Sequence, residues 1–180
     1  MAKLPIMTMP HDPAASDQGP AAGDKRCWLR TIRRYVLCAA FGHLIWEFAQ
    51  MPLYTIAWQG ELLPILVAGL HCTAGDIAIT STSLLLAFCL VGSNLWPRKQ
   101  CRPVLTVCVV IGVAYTVWSE YVNTVVRASW TYTEWMPVIP WFGTGLAPFV
   151  QWMVVPTFAM AWALRRHSSC MTAPTHSALS

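Results

Sequence analysis

The chain has 180 residues, of which 56% are hydrophobic and only 11% are charged, whereas a soluble domain carries about 25% charged residues. The net charge of +4 does not indicate a nucleic-acid-binding face, because the basic residues cluster at the ends of apolar segments, where they report membrane topology. The composition therefore predicts an integral membrane protein in contact with the lipid bilayer, with no nucleic-acid partner.

Residues 1–34 are predicted to form a disordered cytoplasmic tail with a basic end. The tail is rich in Pro, Ala, Gly and Asp and shows no periodicity, a composition that buries too little apolar surface to fold. Pro5 and Pro10 break the only apolar run before the basic cluster, so no signal peptide is expected. The basic cluster contains Lys25, Arg26, Arg30, Arg33 and Arg34.

Residues 35–164 contain four apolar segments, each close to the ~20 residues that a helix needs to cross the bilayer core. The predicted fold is therefore all-α, a polytopic bundle of four transmembrane helices. Pro52 is expected to bend or end the first helix. The stretch 61–70, ELLPILVAGL, is too short to span and is predicted to lie at the interface before the second helix. The predicted spans are about 35–58, 72–92, 104–126 and 141–164, and a Ser- and Thr-rich disordered tail follows at 165–180.

The distribution of Lys and Arg predicts the orientation of the bundle. If both termini are cytoplasmic, 11 of the 12 basic residues lie on the cytoplasmic side and only Arg127 lies outside. This asymmetry is the one that the positive-inside rule describes. We expect a multi-pass protein with both termini in the cytoplasm, located in a bacterial inner membrane.

The sequence places ionisable residues inside three of the apolar spans. His43 and Glu47 lie four residues apart in the first span, so both side chains occupy one helix face. Asp76 and Glu120 lie in the second and third spans. A charged side chain near the bilayer centre costs about 2.5–3.5 kcal/mol, whereas a polar contact between membrane helices contributes only ~0.6 kcal/mol on average. We therefore predict a functional polar pocket rather than polar packing alone.

The expected depths bring polar groups from all four helices into the middle and outer layers of the membrane. At a rise of ~1.5 Å per residue, Asp76 is expected about 6 Å below the outer surface, near the level of Glu120. Both acids either line the pocket or extend to that surface. Arg127, on the same helical stripe as Glu120, is expected to neutralise it in part. The predicted pocket residues are Glu120, Gln151, Trp152, Trp118 and Thr80.

A His and a carboxylate on adjacent helix turns can act as a proton donor and acceptor pair, and a Trp face can stabilise a passing cation. His43, Glu47 and Asp76 are therefore the predicted catalytic residues. The seven Cys residues form no CxxC pair and no regular framework, so no disulfide is expected. No metal site or cofactor is predicted.

The order of these features resembles the sterol isomerase and emopamil-binding superfamily, also called the EXPERA domain, a four-helix membrane module. The likeness extends over about residues 35–164. The family's His-x-x-x-Glu pair is matched in FGHLIWE, its second-helix acid in CTAGDIAIT, and its third-helix run with Gly and Tyr in VVIGVAYTVW. Its fourth-helix amide, Trp and Pro are matched by Gln151, Trp152 and Pro156 in FVQWMVVP. The sterol isomerases have Glu in place of Asp76, Asn as the amide, a longer loop between the first two helices, and a fifth helix.

The resemblance implies a double-bond shift in an apolar polycyclic or isoprenoid lipid. In such a reaction an acid protonates the alkene and a neighbouring base removes a proton elsewhere from the carbocation. The resemblance implies that Glu47 and Asp76 are the acid and base. It also implies that His43 orients them or relays protons and that Trp152 stabilises positive charge. Members of the superfamily also bind lipids without chemistry, so the predicted function is binding or isomerising an apolar isoprenoid or sterol-like lipid.

Three other functions remain compatible with the sequence. Intramembrane acids also serve proton-linked carriers; a four-span carrier would form a homo-oligomer, and no inverted repeat is visible. In a non-enzymatic membrane subunit the polar cluster would only fix helix packing. A metal site would draw on His43, Glu47, His71, Asp76 and Glu120, but no HxxH, ExxH or HExxH spacing supplies two ligands from one helix.

Overall fold

The computed structural model of the protein describes residues 22–58, 61–92, 96 and 100–165, with side chains described from Trp28 onward. This part of the chain is all-α, as predicted. The helices are α1 (Ala22–Gln50), α2 (Leu62–Val91), α3 (Cys101–Tyr121) and α4 (Leu146–Arg165). Two 3₁₀ turns, Met51–Leu53 and Thr55–Trp58, follow α1, and a π-helical turn, Val122–Val126, extends α3.

All four helices are long and apolar enough to cross a membrane, with candidate spans at Trp28–Leu53, Leu62–Val91, Cys101–Val126 and Leu146–Arg165. Large apolar side chains remain exposed along their outer faces, for example Phe41, Leu85 and Phe158. In water such faces would be unfavourable, whereas in a bilayer they contact lipid. The protein is therefore an integral multi-pass membrane protein.

The helices pack as a closed ring. The helix α1 contacts α2 and α4, and α3 contacts the same two neighbours. Helices that follow one another in the chain run in opposite directions, as in other up-and-down bundles. One end of the bundle therefore holds the N-termini of α1 and α3 and the C-termini of α2 and α4. We call this the basic end, and the opposite end, formed by segments 51–58 and 122–145, the connector end.

Two helix boundaries differ from the sequence-based expectation. The helix α1 begins at Ala22, within the segment expected to be a disordered tail, because its Lys and Arg residues are good helix formers and because Thr31 is buried against the bundle. The stretch 61–70 is not a separate interfacial segment but the first turns of α2. Pro64 stands in the first turn of that helix, where a proline ring needs no backbone N–H partner.

The connector end closes with backbone pairing rather than with a helix. Tyr54 and Tyr132 form an isolated antiparallel bridge, in which the Thr55 amide donates to the Thr131 carbonyl at 3.0 Å and the Thr133 amide donates to Leu53 at 2.9 Å. The helix α4 starts at Leu146 rather than at 141, because a turn with Gly143 in the left-handed region precedes it. The two connectors are thus tied together above the bundle.

Apolar and polar buried residues occupy different halves of the bundle interior. The basic half has an apolar core that includes Tyr35, Leu84, Val104 and Met160. The connector half instead buries polar side chains contributed by all four helices, namely His43, Glu47, Gln50, Thr80, Thr116, Glu120 and Gln151. The candidate site lies in this polar half.

Candidate functional site

The side chain of Gln151 on α4 is the centre of a buried polar network. Its Nε2 lies 2.9 Å from Nδ1 of His43, 3.0 Å from Oε1 of Glu47 and 2.9 Å from Oδ2 of Asp76. Its Oε1 accepts a hydrogen bond from Nε2 of Gln50 at 3.3 Å. One amide therefore joins α1, α2 and α4, and it brings together the three residues predicted to be catalytic.

Hydrogen counting limits how this network can be protonated. A Gln amide nitrogen carries two hydrogens, so it cannot donate to three acceptors at once. One arrangement that respects this limit puts a hydrogen on Nδ1 of His43, which faces Oδ2 of Asp76 at 3.4 Å. Nε2 of His43 then accepts from Oγ1 of Thr80 at 3.2 Å. In this arrangement Gln151 donates to both carboxyl groups, and the imidazole orients Asp76.

His43 and Thr80 form the layer behind the site. His43 is fully buried, Thr80 is nearly so, and neither is among the residues that line the cavity next to the network. The ring of Trp152 lines the cavity and packs against His43, with its centroid 5.0 Å from that of the imidazole. Gly112 on α3 allows this position, because a Cβ there would approach Cε3 of Trp152 to 2.0 Å.

A cavity of about 450 Å³ adjoins the network on its connector side. Three carboxyl groups line it, from Glu47, Asp76 and Glu120, together with the amides of Gln50 and Gln151. Most of the remaining wall is apolar or aromatic, with contributions from Met51, Tyr54, Ile79, Tyr115, Trp118, Trp130 and Trp152. The volume and this combination of an apolar wall with a few polar groups are typical of small-molecule sites.

The exposed residues of the cavity wall lie mainly on α2 and α3. Gly75 on α2 is exposed, and a Cβ added there would meet no atom within 4 Å. On α3, Tyr115 and Trp118 line the cavity while being 42% and 58% exposed. All three residues lie inside candidate spans. The cavity therefore has a mouth on the side of the bundle, between α2 and α3 and within the candidate spans.

Glu120 lies at the connector side of the cavity and is held by a connector residue. The hydroxyl of Tyr132 donates a short hydrogen bond to Oε2 of Glu120 and accepts one from the Gly145 amide at 3.0 Å. Burial, followed by the nearby Glu120 carboxyl, raises the pKa of Tyr132, so the phenol remains a donor. The expectation that Arg127 neutralises Glu120 is replaced by this pairing, since Arg127 lines the cavity without an ion pair among the described residues.

A second polar chain runs from the site toward the basic end. Ser83 donates to the Thr80 carbonyl at 3.2 Å and lies 3.1 Å from the Cys108 sulfur. That sulfur lies 3.4 Å from the Tyr35 hydroxyl. Cys108 is a free thiol, like the other described cysteines. These hydrogen bonds link α1, α2 and α3 below the cavity and fix the backbone of α2 next to Thr80.

The early start of α2 changes the expected position of Asp76 along its helix. Because α2 already begins at Leu62, Asp76 lies about 21 Å from the start of the helix at ~1.5 Å per residue, instead of about 6 Å, the value expected for a helix that begins at Cys72. Asp76 therefore lies in the middle of the bundle, and both it and Glu120 line the cavity. Thr80 lies behind the cavity wall, and Trp118 lies at the mouth.

Sequence reasoning missed two residues of the site, Gln50 and Tyr132. Gln50 follows Glu47 by three residues, so it belongs to the same helix face as His43 and Glu47; extending that stripe would have identified it. Tyr132 lies in an irregular connector, where no periodicity indicates which way a side chain points.

The described residues contain no group of three or more His, Cys, Asp and Glu side chains arranged to hold a metal ion. His71 lines the cavity on an exposed turn of α2 and does not join the network around Gln151.

No protein-family model matches the sequence, and comparisons with curated proteins and with solved structures also give no match. The resemblance to the sterol isomerase and emopamil-binding superfamily therefore stays a prediction from short sequence motifs, among them those around His43, Glu47, Asp76 and Gln151. Those four side chains form one hydrogen-bonded network in the folded chain.

Proposed function

We propose that this membrane protein binds an apolar isoprenoid or sterol-like lipid in the cavity between its helices and shifts a double bond in it by acid/base chemistry. The observation that carries the proposal is the convergence of two carboxyl groups on one amide at the wall of an apolar cavity. Glu47 and Asp76 both accept from Nε2 of Gln151. Both also line the cavity.

Two carboxyl groups in such proximity favour a shared proton, because like charges in a poorly solvated site repel each other. One group then serves as an acid and the other as a base. In the proposed reaction the acid gives its proton to one alkene carbon, and the π electrons form the new C–H bond. An adjacent C–H bond then breaks, its electrons form the shifted double bond, and its proton goes to the second carboxylate. No oxidant or reductant is required.

The aromatic wall suits the cationic intermediate of such a reaction. Trp152 and Trp130 line the same cavity as the carboxyl pair, and a Trp face attracts a cation through its quadrupole. Gly112 and His43 hold the ring of Trp152 in place. We assign His43 the part of a positioning residue, because it contacts Asp76 and Gln151 but does not line the cavity.

The side mouth supports a ligand that arrives from the bilayer. The mouth lies between two candidate spans, so an apolar lipid can enter without crossing water. The proposal also includes the orientation expected from the basic residues, with the basic end in the cytoplasm of a bacterial inner membrane. The cavity then lies in the outer half of the membrane.

Native mass spectrometry of the purified protein with its co-purified lipid tests this proposal. We expect an apolar lipid bound at about one molecule per chain, and its double-bond isomers should be distinguishable after extraction. Glu47→Gln and Asp76→Asn should retain the lipid but enrich one isomer, because they remove an acid or base and keep the shape of the wall. Glu134→Gln is the matched control, since Glu134 is exposed and lies outside the cavity.

Two outcomes would refute the proposal in different parts. Absence of any bound lipid, in the wild type as well as in the variants, would refute lipid binding. An unchanged isomer ratio in Glu47→Gln and Asp76→Asn would refute the acid/base step. The polar network would then serve only to hold α1, α2 and α4 together, as in a non-enzymatic subunit.

A further inference from the structure

The amide of Gln50 has one possible orientation in the network. Its nitrogen lies 2.9 Å from Oε1 of Glu47 and 3.3 Å from Oε1 of Gln151, and both of these atoms are acceptors. The oxygen of Gln151 is itself assigned, because its nitrogen faces the acceptor atoms of Glu47 and Asp76. The NH₂ group of Gln50 must therefore face the network, and its carbonyl oxygen must point the other way.

That carbonyl oxygen is buried and has no hydrogen-bond donor among the described protein groups. Gln50 as a whole is only 6% exposed, and it lines the cavity beside Glu47. A buried acceptor without a donor is costly. A residue of the cavity wall, Gln50, therefore carries an unpaired acceptor directly behind the accessible surface of the cavity.

We propose that the ligand of this cavity is a neutral alcohol whose hydroxyl donates to Oε1 of Gln50. This inference rests on the proposed lipid-binding function and narrows its ligand class. A hydroxyl matches the uncharged amide, whereas a cationic group would be attracted to the carboxyl pair of Glu47 and Asp76 instead. With its hydroxyl at Gln50, the lipid has its polar end beside Glu47, and its apolar chain extends toward the mouth at Gly75 and Trp118.

The wild-type protein alone can test this inference with two probes. Farnesol and farnesyl methyl ether share one chain and one oxygen atom, but only the alcohol has a hydrogen to donate. We expect the wild type, in lipid nanodiscs, to bind farnesol roughly tenfold more tightly than the ether, the ratio that one satisfied hydrogen bond produces. Cholesterol and its methyl ether form the corresponding sterol pair.

Gln50→Met keeps the length of the side chain and removes the acceptor, together with the donor that faces Glu47 and Gln151. The ratio between the alcohol and ether affinities should fall to about one in this variant. Dividing the wild-type ratio by the variant ratio cancels the different partitioning of the two probes into the bilayer. Gln100→Met is the matched control. The carbonyl oxygen of Gln100 is also buried without a donor, but Gln100 does not line the cavity, so the ratio should stay near tenfold.

Equal binding of alcohol and ether by the wild type would overturn the inference and leave the proposed function standing. A wild-type preference that persists in a folded Gln50→Met protein would also overturn it, because the donor would then be recognised elsewhere. If neither the alcohol nor the ether of either chain type binds saturably, the proposed function itself fails, and this inference fails with it.

Discussion

The close approach of α3 to the Trp152 ring makes Gly112→Ala the sharpest test of how the site is built. A Cβ at position 112 would lie 2.0 Å from Cε3 and 2.4 Å from Cζ3 of Trp152. Carbon atoms in contact are normally about 3.5–4.0 Å apart, so the ring or the helix must move by about 1.5 Å. Trp152 is only 1% exposed, and overpacking a site of this kind costs about 1–3 kcal/mol.

Gly75→Ala provides the matched control for this substitution. Both glycines lie inside transmembrane helices, and either change to Ala gains up to about 1 kcal/mol of helix propensity. At Gly75, however, the new methyl group meets no atom within 4 Å. We therefore expect Gly112→Ala to be about 1–3 kcal/mol less stable than Gly75→Ala, the cost of overpacking alone.

Reversible unfolding in mixed detergent micelles measures this difference, and the Trp emission spectrum reports whether the buried ring has moved. We expect Gly112→Ala alone to alter the emission, because it displaces Trp152 from His43. Equal free energies of unfolding for the two variants would refute the packing of Trp152 against Gly112. The proposed position of that ring at the cavity wall would be refuted as well.

Two further predictions concern the connector end and the membrane orientation. The pKa of Tyr132 is raised in the folded protein, so the stability it contributes is present below its unfolded pKa of about 10 and is lost as the pH rises above that value. Tyr132→Phe should be about 1–3 kcal/mol less stable at pH 7, because Glu120 loses its donor. Between pH 9 and 11, roughly the range around that unfolded pKa, the free energy of unfolding should fall less in the variant than in the wild type. An equal fall in the two proteins would contradict the assignment. A C-terminal green fluorescent protein fusion should fluoresce and a C-terminal alkaline phosphatase fusion should be inactive, whereas the reverse result would contradict cytoplasmic termini.

The sequence was sufficient to predict the helices that carry the site. Spans of apolar residues and the four-residue spacing of His43 and Glu47 report helical periodicity directly. The same spacing predicted that both side chains share a face, and both are buried in the bundle. The convergence of polar side chains from different helices was also predictable, because costly polar groups in the spans of a small bundle tend to face one another.

Depth along α2 was not predictable from composition alone. The stretch 61–70 was predicted to be separate because it is too short to span a membrane, but it continues directly into α2, and its proline in the first turn does not interrupt the helix. The early start of α2 moves Asp76 from the surface to the network around Gln151. A single misplaced boundary therefore changed the expected surroundings of one site residue.

Sequence patterns do not predict the contacts that irregular segments make. Tyr132 is paired with Glu120 through a bridge between the two connectors, and such pairing depends on tertiary structure rather than on local sequence. The simultaneous contacts of Gln151 with α1 and α2 likewise require the relative rotation of three helices, which the sequence of any one helix does not encode.

Deuterium incorporation tests the central claim, that Glu47 and Asp76 transfer protons to and from a lipid, most directly. Protein in nanodiscs with its co-purified lipid is transferred to D₂O, and the extracted lipid is analysed for carbon-bound deuterium. The wild type and Glu134→Gln should incorporate deuterium next to the double bond. In Glu47→Gln and Asp76→Asn the rate of incorporation should be lower by a factor of about one hundred or more. A lipid that leaves the wild-type protein without carbon-bound deuterium would contradict the account.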